Sequence, residues 1–296
     1  MSVPTPLPYR RDTNDLPAEL PSTEEILAST EILKGVEAWA DRKVVGVGKH
    51  FIVKYGAHND QLEGDNLLFI ERQQLGALAP RLYAMWRNDD GILFLVMERL
   101  SGVTLENLWP TLREADKEKI LCRLKEAFAK LRAVHHGGYF GSVTQSHIPH
   151  HLFYWPQYPA PISGPFETEA SLVHGLIQKS QMTAQQNKRH SYMADFFSGQ
   201  LTRDLIKDGR QPVFTHSDLQ RKNVLVEEIR AGNEREFRVR LVDWESAGWY
   251  PAYWEYVAAF FAFKWDDDWC VKVAEIIDAW PAEAAMMKLI YQDLWL

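Results

Sequence analysis

The segment that most narrows what this chain can become is residues 214–251, FTHSDLQRKNVLVEEIRAGNEREFRVRLVDWESAGWYP. VLVEEI reads as one strand. FRVRLV reads as another, because Phe237, Val239 and Leu241 alternate with Arg238 and Arg240 at the period of a half-buried strand. Ala231-Gly232-Asn233-Glu234 between them is turn chemistry. The spacing predicts an antiparallel hairpin centred on Asn233, with Asn223 and Asp243 ten residues to either side. Both then sit at the open end, roughly opposite each other at a strand spacing of about 5 Å. The loop before Asn223 brings His216 and Asp218 to the same edge.

These residue types suit one chemistry. Asn223 and Asp243 offer oxygen ligands for Mg²⁺, a hard cation that takes few protein ligands and keeps waters and phosphate oxygens. Asp218, five residues before Asn223, is left to accept a proton from an attacking hydroxyl. Phosphoryl transfer needs this set, since its catalysis is mostly positioning and charge neutralisation. Any one of these residues alone is ordinary turn chemistry. The reading rests on their order: H-x-D-x4-N, strand, turn, strand, then two apolar residues and Asp243.

Composition excludes other classes. Lys plus Arg is 33 against 40 for Asp plus Glu, a net charge of -7, which lacks the basic excess of a nucleic-acid binder. Cys122 and Cys270 are the only cysteines, so no disulfide framework or cysteine zinc site can be read, and a reducing compartment fits. The longest apolar run, VAAFFAF at 257–263, is far shorter than the ~20 residues of a membrane span. The stretch MSVPTPLPYRRD lacks the apolar core of a signal peptide. A cytoplasmic protein without a membrane span is expected.

Along the chain, Pro4, Pro6, Pro8, Pro17 and Pro21 make residues 1–23 an extended arm. Ile26, Leu27, Ile32 and Leu33 give 24–39 a helical period. KVVGVG and HFIVKYG read as strands, LEGDNLLFIERQQLG as a helix and ILFLVMERL as a buried strand, so 24–100 forms one strand-rich lobe. Residues 101–296 are mostly helical, with an amphipathic helix over 116–135, a loop-rich stretch over 136–167 and aromatic helices after Pro251.

HSDLQRKN followed by LVDWE resembles the catalytic and metal-binding segments of the aminoglycoside phosphotransferase family, which is similar to choline kinase. WESAGWYPAYWEY resembles the version common in fungal members. The resemblance covers about 44–263 and is densest over 215–255. It implies an α+β, two-lobed protein-kinase-like fold: a small N-lobe of antiparallel sheet plus helix, and a larger, mainly helical C-lobe. It also implies transfer of the γ-phosphoryl group of ATP, with Mg²⁺, to a hydroxyl of a small molecule. Asp218 then matches the catalytic base, Asn223 and Asp243 the magnesium ligands, and His216 a bracing residue. Lys54 matches the lysine that reaches the nucleotide phosphates, with Glu63 as its carboxylate partner and Asp65 or Glu71 as alternatives. The backbone of Glu98 and Leu100 matches the hinge that binds adenine. Gly46-x-Gly48 is either a plain hairpin turn or a turn that hangs over the phosphates.

Two departures stand out. Ser217 occupies a position where many relatives have glycine, which matters if φ is positive there. Trp244-Glu245 replaces Phe-Gly after Asp243, and with the lack of an Ala-Pro-Glu segment this counts against a protein kinase. A non-catalytic nucleotide-binding protein of the same fold is the alternative. Asp266, Asp267 and Asp268 read first as a helix N-terminus and second as a wall for a cationic acceptor. Trp249, Tyr250, Tyr253, Trp254 and Tyr256 read as packing or, in the second reading, as an acceptor surface. The histidines at 147, 150 and 151 read as a solvated loop, and Glu255 as a brace for the segment after the metal site. The acceptor and the oligomeric state are not legible.

Overall fold

β-Branched and aromatic residues as far as Glu98 build a single antiparallel sheet. Its strands are β1 (Tyr9–Arg10), β2 (Ile32–Lys34), β3 (Arg42–Val47), β4 (Phe51–Gly56), β5 (Leu82–Arg87) and β6 (Leu93–Glu98), in the order β1-β5-β6-β4-β3-β2. The computed structural model describes residues 3–35, 41–153, 158–204, 210–231 and 234–295. Strand partners fix the faces. Lys54 lies opposite Val44 and Ile52 opposite Gly46, so these four share one face. Val45, Phe51 and Val53 point the other way and pack with Ile26, Tyr83, Phe94 and Val96.

Residues 24–39 are not one helix. The helix α1 (Thr23–Leu27) starts with a capping box between Ser22 and Glu25 and stops at Leu27. Ile32–Lys34 is strand β2, paired with β3. Two short apolar pairs fit a helical and an extended period equally, and the pairing partner decides. Residues 36–40 lie outside the described residues. The proline-rich arm is not extended throughout, since Thr13–Asp15 form a 3-10 turn, and it is fastened to the sheet. Tyr9 and Arg10 pair with Met85 and Ala84, and the Thr5 N–H donates to Asp65 at 2.9 Å.

Helix α2 (Leu62–Arg72) packs between the sheet and the second lobe. That lobe holds α3 (Leu105–Leu108), α4 (Glu114–Arg132), α5 (Ala160–Ser163), α6 (Glu169–Gln186), α7 (Tyr192–Asp204), α8 (Trp254–Phe261), α9 (Trp269–Ile276) and α10 (Pro281–Trp295). Between them run β7 (Val103–Thr104), β8 (Val213–Thr215), β9 (Val224–Ala231), β10 (Glu234–Leu241) and β11 (Gly248–Tyr250). These pair as a β10-β9-β7 sheet and a β11-β8 ladder. One apolar core is continuous across both lobes, joining Leu67, Met85 and Leu95 to Leu124, Val239 and Trp244. A second core gathers Phe140, Leu172, Phe197, Tyr250, Tyr253 and Trp254. Trp249, Tyr250, Tyr253 and Trp254 are therefore packing residues, not an acceptor surface.

The hairpin forms as the alternation predicts, with Val224 opposite Leu241 and Ala231 opposite Glu234. This register places Val242, not Asp243, across from Asn223: the Val242 N–H donates to the Asn223 carbonyl at 3.0 Å. The centre falls half a residue before Asn233, in a turn whose residues 232–233 lie outside the described ones. Asp243 still sits at the open end, one residue past the ladder, in a left-handed conformation with φ 67°.

Candidate active site

The loop from His216 to Asn223 joins β8 to β9 and carries Asp218. Its main chain is held by a carboxylate. Glu255, buried at the start of α8, accepts the N–H of His216 at 2.8 Å and that of Ser217 at 3.1 Å. Burial pushes the Glu255 carboxyl up to about 7, against these two donors. Glu255 thus braces the loop that precedes the metal-site residues rather than the segment after them. Ser217 does have a positive φ, 69°. A serine is kept there by a specific contact, since its Oγ accepts from the Trp254 indole N–H at 2.9 Å. His216 is fully buried between the loop and β10. Its Nδ1 accepts the Asp218 N–H at 3.3 Å, which leaves Nε2 to donate to the Val242 carbonyl at 3.1 Å. Burial lowers its pKa, so the ring stays neutral.

Asp218 and Asn223 meet directly. The Asn223 side-chain N–H₂ donates to one Asp218 carboxylate oxygen at 2.6 Å and to the Asp218 carbonyl at 3.1 Å. Gln220 donates to the other carboxylate oxygen. The Asn223 Oδ1 is buried and has no hydrogen-bond partner among the described residues. A buried amide oxygen without a partner is costly, and a cation ligand would satisfy it.

Lys54 ends its strand facing three carboxylates. Its ammonium lies 2.7 Å from Glu63, 2.9 Å from Asp243 and 2.8 Å from Glu245. Of the candidates on α2, Glu63 reaches Lys54, whereas Asp65 accepts from Thr5 and Glu71 pairs with Arg11. Burial alone would lower the Lys54 pKa, but Glu63, Asp243 and Glu245 together hold it well above the usual lysine range. Burial likewise works against the Asp243 carboxylate, and Lys54 and Lys34 reverse it, holding Asp243 below the usual range. The carboxylates of Glu63, Asp243 and Glu245 offer oxygens within 4.8 Å of one another, a donor set that fits a hard cation.

Three members of this cluster escape a reading of the motifs: Glu245, Lys34 and Arg42. Glu245 lies two residues past Asp243 in the turn Trp244–Ser246, which the Asn66 amide pins by donating to the Trp244 carbonyl at 2.8 Å. Lys34 meets Asp243 at 2.9 Å and Arg42 meets Glu245 at 3.1 Å. These two stand at the ends of strands β2 and β3, which bring both side chains to the cluster. The sequence signal there is Gly35, at φ 78°, where a Cβ would lie 2.1 Å from the Arg42 carbonyl oxygen. The Gly46-x-Gly48 turn does not hang over this end. It closes the other end of the β3–β4 hairpin, where Arg99 donates to the Gly48 carbonyl at 2.9 Å.

Glu98 and Leu100 follow β6 at that end. The Glu98 N–H is committed to the Arg81 carbonyl at 2.8 Å, so only its carbonyl is left for an outside partner. Among the described residues Leu100 makes no main-chain hydrogen bond. Two of the three residues in the acidic run have partners. Asp267 pairs with Arg221, and Asp268 accepts the Trp109 indole N–H at 2.7 Å and pairs with Lys117 at 3.2 Å.

Comparison with known proteins places this arrangement. Residues 61–288 match the model of the phosphotransferase enzyme family. Curated proteins give no sequence match. Among solved structures, ADP-bound aminoglycoside phosphotransferase APH(2'')-Ib is similar with a TM-score of 0.58 at 13% identity, over 90% of this chain and 85% of that one. The streptomycin–ATP complex of APH(2")-IIa gives 0.56 at 14% identity, over 90% and 83%. A thermostable mutant of APH(4)-Ia gives 0.55 at 17% identity, over 92% and 86%. At such identities the likeness concerns the fold, which is the two-lobed, protein-kinase-like one. Among the described residues no helix is long and apolar enough to cross a membrane.

Proposed function

Because the chain belongs to the phosphotransferase enzyme family, we propose that it transfers the γ-phosphoryl group of ATP, with Mg²⁺, to a hydroxyl of a small molecule. The observation that carries this reading is Lys54, whose ammonium is shared by Glu63 from the sheet lobe and Asp243 from the helical lobe. A cation so placed spans the cleft at the point where a phosphate chain would need it. The similar structures hold ADP, ATP or GDP, which supports a nucleotide as the phosphoryl donor.

Each residue then has a task. Lys54 binds phosphate oxygens and stays oriented by Glu63. Asn223 and Asp243, with Glu245 beside them, would hold the magnesium. That ion supplies charge neutralisation at the phosphate oxygens when bound. Asp218, fixed by Asn223 and Gln220, orients the acceptor hydroxyl and takes its proton. Glu98 and Leu100 contribute main-chain groups to the base. Lys34 and Arg42, which meet Asp243 and Glu245, add positive charge at the phosphate end.

The test is ADP release over a panel of hydroxylated metabolites, sugars, choline-like amines and aminoglycosides. The Asp218→Asn variant should lose about 10²–10⁴-fold in turnover while nucleotide affinity changes little. Full turnover in that variant would remove Asp218 from its role. Nucleotide binding without turnover on any acceptor would favour a non-catalytic protein of the same fold.

A further inference from the structure

The two flanks of Asp218 differ in charge. On the flank of α3, α4 and α9, acids and bases are mostly matched: Arg221 with Asp267, Lys117 with Asp268, and Lys264 with Glu106, with exposed Asp266 left over among the described residues. A charged acceptor gains little from groups already paired.

The other flank is built from residues 150–152, α6, α8 and α10. Contacts lead to it from the catalytic loop. Ser217, next to Asp218, holds the Trp254 indole, whose ring meets His150 at 5.1 Å. His150 stacks on His151 at 4.1 Å, and His151 lies within electrostatic reach of Asp218. Beyond His151 comes Tyr291 at 6.0 Å, and Phe261 lies 4.7 Å from Tyr291. The Lys288 ammonium sits 5.0 Å from the Tyr291 ring and 5.6 Å from that of Phe261. Beneath this surface Lys179, buried in α6, donates to the Leu152 carbonyl at 2.6 Å and to the His151 carbonyl at 3.4 Å. Neither lysine has a carboxylate within 4.0 Å among the described residues. Burial lowers the Lys179 pKa to about 8, so at neutral pH it remains largely charged. The carboxylate at this end of α10, Asp293, is taken by the Ser180 hydroxyl.

We propose that this flank recognises the phosphate acceptor, and that the acceptor is a hydroxy compound carrying an anionic group and a flat apolar part. The inference rests on the phosphotransferase reading and deepens it. Half-buried faces of Phe261 and Tyr291 suit an aryl or similarly flat group. A carboxylate or phosphate on the acceptor supplies a counter-charge that neither lysine has among the described residues. It does so by contact with half-exposed Lys288 and at longer range to Lys179, whose ammonium is buried against two carbonyls and the Tyr158 ring. A polyamine would meet two ammonium groups instead, and like charges there count against it. The acceptor expected of this chain therefore differs in charge from the aminoglycosides named for the similar structures.

Two matched probes test this on the full chain saturated with ADP and Mg²⁺: 4-(hydroxymethyl)benzoate and 4-(hydroxymethyl)benzylamine, followed by calorimetry. The benzoate should bind about tenfold more tightly than the amine, and the preference should collapse in Lys288→Gln with ADP affinity unchanged. Equal or tighter binding of the amine, no detectable binding of the benzoate, or a preference that survives Lys288→Gln overturns the proposal. The ADP titration that precedes each run reads the nucleotide site alone. If ADP does not bind, it is the phosphotransferase reading that falls.

Discussion

Asp218 and Lys54 border one cleft but are supported in different ways. The Asp218 loop is held within one lobe by main-chain N–H groups that converge on buried Glu255, by a neutral histidine and by an indole. The Lys54 cluster has no such scaffold. Its partners come from both lobes and meet at Lys54 chiefly through charge, with the Asn66 amide pinning the turn that carries Glu245. The first arrangement keeps its geometry whether or not a ligand is present. The second depends on how the lobes sit, and phosphate oxygens can compete for every group in it. A phosphoryl-transfer site gains from this division, because the proton acceptor is preorganised while the phosphate contacts form with the nucleotide.

Breaking the charged end should cost most. Lys54→Met leaves buried Glu63 without its cation beside Asp243 and Glu245, which keep only Lys34 and Arg42, and this should cost about 3–5 kcal/mol in urea unfolding. A loss below about 1 kcal/mol, the value of an exposed pair, would mean that the cluster does not join the lobes. Nucleotide affinity should fall in parallel.

The scaffolded end is sharpened by its pH dependence. The Glu255 carboxyl is raised from 4.5 to about 7 in the folded chain, so the folded state binds the extra proton between those values. Its contribution to stability is complete below about pH 4.5, falls as pH rises to about 7 and is flat above that. Relative to Glu255→Gln, the native chain should lose about 3 kcal/mol across this window. Denaturation at a series of pH values would show it, and parallel curves for the two chains would refute the raised carboxyl. The smallest effect belongs to Ser217→Gly. Relief of the positive φ is worth about 1–2 kcal/mol, and loss of the bond to Trp254 costs about 1 kcal/mol. The net change should stay within about 1 kcal/mol by thermal unfolding, and a larger loss would make the indole contact the dominant support.

Legibility in the sequence follows the same division. The hairpin could be read because strict alternation and a turn leave one register, and its error was half a residue in the centre. Asp218, Asn223 and Asp243 could be read because they share that local frame. Glu63 meets Lys54 only through the packing of α2, so spacing alone left Asp65 and Glu71 open. Ile32 and Leu33 fit a helix as well as a strand until β3 supplies a partner, and that ambiguity hid Lys34. The flank around His151 stayed dark because its residues come from four distant segments and no local motif ties them together.

The short strand at Tyr9–Arg10 has a consequence for handling the molecule. It covers the outer edge of Leu82–Arg87. A chain begun after Arg11 would bare that edge, and exposed strand edges recruit a second molecule. Light scattering should then show more self-association than in the full chain, which would make this strand an edge guard at a place remote from any chemistry.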